Sequence, residues 1–217
     1  MPEAEGHSHT ARLETFSDGV FAIAITLLII EIGVPHVEGE ASLGDEILDL
    51  WPSYGAYVLS FVTIGIYWVN HHSFYRLFHS TSHFFLMLNV WFLMAIAFIP
   101  FPTAVLGEYL NDGEHRRAAV SLYCAGLLFP AVGWFLVWMY GQYRGLVDDS
   151  LHPRYLRFAN GQYVVSMAVY SIALGVSFLN AWAALGLCAV ITGVYLFPPR
   201  TPEYLPLPNV GDLPGGD

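Results

Sequence analysis

The sequence predicts an all-α integral membrane protein with six transmembrane helices per subunit, and three observations carry that prediction. First, 55% of the 217 residues are hydrophobic and only 12% are charged, where soluble domains carry about 25%; the mean hydropathy is +0.51. Second, apolar runs of the ~20 residues needed to cross a bilayer core recur along the chain. Third, residues 158–199 contain no Asp, Glu, Lys or Arg. At ~1.5 Å per residue that stretch reaches about 63 Å, roughly two bilayer cores, so it holds two helices.

Taken in order, the first span is expected near 13–34, inside RLETFSDGVFAIAITLLIIEIGVP. The second, third and fourth follow near 51–70, 84–107 and 118–143. The charge-free stretch divides into spans near 158–178 and 181–197, with SFLNAWAALG as the hairpin and Asn180 at its turn. Pro100 and Pro102 are expected to kink the third helix near its outer end. Residues 1–197 thus form one transmembrane domain without internal repeats, and 198–217, rich in proline and glycine, read as a disordered tail. With six spans, both termini and the second and fourth loops share one side. That side carries Arg12, Arg76, Arg144, Arg154, Arg157 and Arg200 against Arg116 and Arg117 on the other. The positive-inside rule makes it cytoplasmic, and the expected location is the plasma membrane.

Composition also excludes functions. A formal charge of −10 without a basic cluster argues against nucleic-acid binding. Cys124 and Cys188 lie in apolar runs and imply no disulfide framework. The acidic opening residues lack the basic start of a cleavable signal peptide. The acidic segment 36–50 reads either as a solvated loop or as a cation-attracting rim. Trp51, Trp68, Trp134, Trp138 and Trp182 suit a membrane-interface belt or packing.

The first span is the anomaly. Only twelve uncharged residues separate Asp18 from Glu31, and a charge deep in the bilayer costs ~2.5–3.5 kcal/mol on insertion scales, so such groups face protein or water. The helix is therefore expected inside, shielded by the other five. Arg12, Ser17 and Asp18 have candidate partners in Asn70, His71 and His72, on the same side of the membrane; such a network is structural or functional on sequence grounds alone. Phe16, Gly19, Ile23, Leu27 and Ile30 recur at helical spacing, with Thr26 at the border. The stripe means packing, unless several copies of the helix meet at an axis, where it lines a pore.

These residues also resemble a known family. R-x-x-x-F-S-D-G (Arg12, Phe16, Ser17, Asp18, Gly19) followed by VFAIAITLL is similar to the signature of the transmembrane protein 175 family of potassium channels. W-x-x-H-H (Trp68, His71, His72), Asn89, and F-x-P-F-P-T with E-Y (Phe98, Pro100, Phe101, Pro102, Thr103, Glu108, Tyr109) extend the likeness; the last three spans match in hydropathy only. The resemblance implies a homotetramer of one-copy subunits, a first helix lining the pore, apolar constriction rings at Ile23, Leu27 and Ile30, and a polar, selectivity-bearing layer at Thr26. Independently of the resemblance, Arg12, Phe16, Ser17, Asp18, Trp68, Asn70, His71 and His72 are read as a network expected to hold the helix in register and to couple it to gating. The family lacks the T-V-G-Y-G filter, as does this chain. The function implied is a potassium-permeable cation channel of modest selectivity over sodium, with the chain itself and membrane lipids as partners, potassium as permeant ion, and no cofactor or enzymatic activity.

Apolar rings offer an ion no replacement ligands, so passage requires wetting or partial dehydration, which favours the more weakly hydrated potassium. Four Thr26 hydroxyls supply some lost ligands. Glu31 is either a ring of carboxylates at the outer mouth or a solvated helix end. One rival is a histidine-based metal or haem site at His71/His72 and His79/His83; the other is a proton leak or proton-coupled transporter relaying through Asp18, Glu31 and the histidines. Inverted repeats and broken mid-membrane helices, signs of a transporter, are absent from the sequence.

Overall fold

The structure, a computed structural model, describes residues 3–35, 42–198 and 200–205, the backbone alone over 3–12. Those residues form eight helices: α1 (Glu3–Ile30), α2 (Leu43–Asp49), α3 (Trp51–Tyr75), α4 (His83–Phe98), α5 (Pro100–Tyr109), α6 (Arg116–Tyr143), α7 (Pro153–Ser177) and α8 (Ala181–Tyr195). Each boundary has a local cause. Ser82 opens α4 by accepting from the Phe85 N–H, Asn180 opens α8 by accepting from Ala183, and Pro52 and Pro153 occupy first-turn positions where no N–H is needed. Gly145, at φ +62°, ends α6: its N–H bonds the Gln142 carbonyl while the Leu146 N–H bonds that of Gly141, a Schellman closure that only glycine makes without strain. Pro100 and Pro102 interrupt the α4–α5 rod at Ile99.

Three stretches are long and apolar enough to cross a membrane: Leu13–Ile30, His83–Tyr109 (α4 with α5) and Arg116–Tyr143. The pair α2 and α3, bent by 45°, makes a fourth when taken as one span. The 25-residue α7 is less apolar, and α8 is apolar but has 15 residues.

Cross-helix contacts fix the ends of the bundle. Trp68 meets Asp18, Gln142 meets Asn160, and the Tyr195 hydroxyl donates to the Gln162 carbonyl at the end carrying both termini. At the other end Trp51 stacks on Trp182, and Ser121 bonds Ser177. Close approach of the helices depends on glycine: a Cβ on Gly126 would sit 2.7 Å from Cγ of Pro102, and one on Gly133 would sit 3.1 Å from Cα of Phe92. Buried hydroxyls tie the interior together. Ser60 bonds both Thr103 (2.7 Å) and Tyr123 (3.0 Å), and Thr63 bonds Thr192 (3.1 Å).

Two expectations need correction. The first helix is not shielded by the other five within the subunit: among the described residues α1 packs mainly on α3, α4 and α5, and 22% of its span is buried against 56% for that of α6. Its burying stripe (Leu13, Ser17, Phe21, Ala24, Leu28) occupies one side only. Nor is the tail unstructured throughout. Leu205 donates to the Ser150 carbonyl and His152 to that of Glu203, because the α6–α7 loop offers a free backbone edge. Residues 206–217, like Pro199 and 36–41 of the acidic segment, lie outside the described residues.

Candidate functional site

The candidate site is the open side of α1. Residues 13, 17, 21, 24 and 28 face the neighbouring helices, so the 3.6-residue period turns Phe16, Gly19, Ile23, Thr26, Leu27 and Ile30 outward. Ile23 is 62% exposed, Leu27 40% and Ile30 72%. No atom lies within 4 Å of a Cβ position on Gly19. The Thr26 hydroxyl donates into its own helix, with Ala22 and Ile23 carbonyl oxygens both at 2.9 Å. Its proton is thus committed, and the oxygen lone pairs face outward. Glu31 is exposed just past the end of α1.

At the other end of the stripe, α1 and α3 run antiparallel and meet on successive turns. Trp68 Nε1 donates to Asp18 Oδ1 at 2.9 Å. One turn away on each helix, His72 Nδ1 lies 3.4 Å from Glu14 Oε2. Glu14 was not assigned a partner from the sequence, although 18 opposite 68 in an antiparallel pair implies 14 opposite 72.

The rest of the expected network separates. Asn70 donates to the Ile66 carbonyl within α3 (2.8 Å) and does not reach α1, because it lies on another face of that helix. His71 is buried among aromatic rings: Phe21 edge-on at 5.3 Å, Tyr75 at 4.6 Å, and Phe92 stacked at 6.0 Å. Among the described residues, neither its Nε2 nor the buried Ser17 hydroxyl has a hydrogen-bond partner. Phe16 lies on the open face, at 57% exposure. The Arg12 side chain lies outside the described residues. Asn89, part of the quoted motif, accepts from the Tyr75 hydroxyl. His79 bonds the Gly145 carbonyl at 3.1 Å, and among the described residues no three His, Cys, Asp or Glu side chains converge on a metal position.

The arrangement can do one thing chemically: it presents a band of apolar surface, interrupted by a single hydroxyl layer and flanked by carboxylates, to whatever faces α1. Comparison with known proteins shows the family. A family model described as the endosomal/lysosomal potassium channel TMEM175 matches residues 12–100. A potassium channel of Chamaesiphon minutus is 39% identical over 194 residues, covering 88% of this chain and 95% of its own length. A potassium channel of Streptomyces collinus is 36% identical over 200 residues, covering 90% and 97%. The crystal structure of a lysosomal potassium-selective channel TMEM175 homologue from Chamaesiphon minutus superposes with a TM-score of 0.79 at 37% identity, covering 87% of this chain and 97% of that one. The chain therefore belongs to the TMEM175 family of ion channels and is not an enzyme.

Proposed function

We propose that the chain is one subunit of a homotetrameric, potassium-permeable channel in the plasma membrane, with six spans, cytoplasmic termini, and α1 around the central axis. The observation that carries the reading is the second stripe on α1. A helix facing lipid would not interrupt the stripe of Ile23, Leu27 and Ile30 with Thr26 and carry exposed carboxylates, Asp18 and Glu31, at its two ends. Four such stripes around an axis account for both the apolar exposure and the polar interruptions, and symmetry supplies the walls that one span cannot.

In this reading Ile23, Leu27 and Ile30 form successive apolar rings over ~10 Å of axis. Potassium passes with less dehydration cost than sodium, and the outward lone pairs of Thr26 replace part of the lost hydration, giving modest selectivity. The Trp68–Asp18 and His72–Glu14 contacts set the rotation of α1 about its own axis. Glu31 forms an acidic ring at the outer mouth, and Arg12 completes the polar anchor at the cytoplasmic end. The α2–α3 pair, α4–α5, α6, α7 and α8 supply the other spans.

The test is reconstitution in liposomes with potassium and sodium fluxes measured in parallel, beside native mass spectrometry in detergent. Four chains per particle and a potassium flux exceeding that of sodium are expected. A conducting monomer, or a flux carried by protons alone, overturns the reading.

A further inference from the structure

The side of α3 that faces away from α1 borders a cavity of about 210 Å³ that the pore reading does not use. Trp68 and His72 turn toward α1, while Tyr67, Asn70 and Phe74 lie on the other side of the helix and line the cavity with Trp134 of α6 and Tyr163 of α7. Its mouth lies at the end of the bundle that holds the termini. There Arg200, Thr201 and Pro202 cross it, held by the pairing of 203–205 with the α6–α7 loop.

Three features define an occupant. The first is size: cavities of about 150 Å³ accept benzene, so about 210 Å³ takes one aromatic ring with a substituent. The second is the wall, whose aromatic faces suit edge-to-face packing of another ring. The third is polarity. Among the described residues no carboxylate lines the cavity, and the one charged side chain there is Arg200. The Arg200 guanidinium lies 4.5 Å over the Phe158 ring and, among the described residues, has no carboxylate partner. Trp134, only 7% exposed, lies in the wall beside Tyr163. The one cationic group at the mouth thus favours a ligand that brings an anionic acceptor to Arg200.

We propose that this cavity binds a small carboxylate built on one aromatic ring, with the ring among Tyr67, Phe74, Trp134 and Tyr163 and the carboxylate at Arg200. The two ends of such a molecule match the cavity's two ends: an apolar, aromatic interior and a cationic mouth. A cation would meet Arg200 without any acidic counterpart, and a neutral ring would leave the guanidinium unmatched.

The test uses the purified full-length protein and benzoate, read by intrinsic tryptophan fluorescence and by melting temperature, with benzyl alcohol as the uncharged isostere. Benzoate is expected to saturate and to raise the melting temperature, and benzyl alcohol to bind about ten-fold more weakly, the worth of one charge-assisted hydrogen bond. Arg200→Gln should weaken benzoate by about the same factor and leave benzyl alcohol unchanged. Ser166→Phe, at a half-buried position of the lining, should abolish both. A benzoate response that fails to saturate, equals that of benzyl alcohol, survives Ser166→Phe, or ignores Arg200→Gln overturns the proposal. Arg200 is exposed, so its variant keeps the test decisive if Ser166→Phe does not fold.

Discussion

Replacing Ile23 by asparagine tests the pore face most directly. Full burial of an isoleucine side chain is worth ~1.5–3 kcal/mol. Ile23 is 62% exposed in the single subunit, so its contact with water is unfavourable by ~1–2 kcal/mol. Four copies at one level of an axis therefore oppose wetting by ~4–8 kcal/mol. Ile23→Asn keeps the approximate width and removes that opposition. Even if only about a quarter of it is recovered as easier wetting, ~1–2 kcal/mol, conductance rises about 5- to 30-fold. The potassium preference falls with it, because ions then pass with more of their water retained. Single-channel recording in planar bilayers measures conductance, reversal potentials under mixed potassium and sodium give the permeability ratio, and native mass spectrometry confirms four chains. A correctly assembled Ile23→Asn channel with unchanged conductance and permeability ratio refutes the argument, since Ile23 would then face something other than the ion path.

Other outcomes follow from the same geometry. Thr26→Val should reduce the potassium-to-sodium ratio while Thr26→Ser preserves it, because the lone pairs and not the methyl group serve the ion; equal ratios in both variants count against that role. Asp18→Asn and Arg12→Ala should lower tetramer yield more than they alter selectivity, and Trp68→Phe, which removes the N–H donor to Asp18 together with part of the indole ring, should destabilise the fold by at least ~1 kcal/mol in chemical denaturation; normal assembly with altered selectivity would move this contact into the pore. Gly126→Ala should lower the melting temperature, since its Cβ would meet the rigid Pro102 ring at 2.7 Å, and overpacking costs ~1–3 kcal/mol. In the α5–α6 turn, the His115 ring and then the backbone N–H groups of Glu114 and His115 hold the Asp112 carboxyl below the usual carboxylate range. Because that value is depressed on folding, its stabilising contribution is present above the ordinary range and lost as pH falls through the folded value; His115→Ala should raise it in an NMR titration of the carboxyl.

The all-helical fold and the division of the chain were legible because membrane solvent writes them into composition: a charge-free run too long for one helix must hold two. The stripe on α1 was legible for a related reason, since Ile23, Leu27 and Ile30 recur at helical spacing between two carboxylates. Which face that stripe would meet was not. The sequence reading placed α1 inside, because Asp18 cannot face lipid, but a single subunit offers it only one packed side. The polar network was half legible. Residue type alone cannot say that Asn70 turns to the carbonyl of Ile66 or that His71 enters an aromatic nest, since both depend on which face of α3 meets α1. The Ser60–Thr103–Tyr123 cluster joins residues up to 63 positions apart, and no local pattern announces it. The same holds for the cavity, which needs four helices and the tail to exist.

The two polar contacts described between α1 and α3 sit at one end of the helix, and this has a mechanical consequence. Asp18 and Glu14 are held from the side by Trp68 and His72, and Phe21 is wedged against His71 and Phe92. Beyond Phe21, the packed face of α1 consists of Ala24 and Leu28, one of them a single methyl group, with Ile25 half-buried beside them. The constraint on α1 therefore weakens along the segment that carries Ile23, Thr26, Leu27 and Ile30. A helix pinned at one end and lightly packed at the other moves most where it is least held. A change in rotation at the Trp68–Asp18 contact would be carried to every exposed residue of the stripe at once, because the backbone hydrogen bonds of α1 continue unbroken to Ile30. A turn by one residue position, about 100°, would exchange Ile23 for a neighbouring face. Thus, in the proposed tetramer, the polar pair and the apolar rings work as one element: the first sets the angle, and the second converts that angle into the width and wettability of the neck.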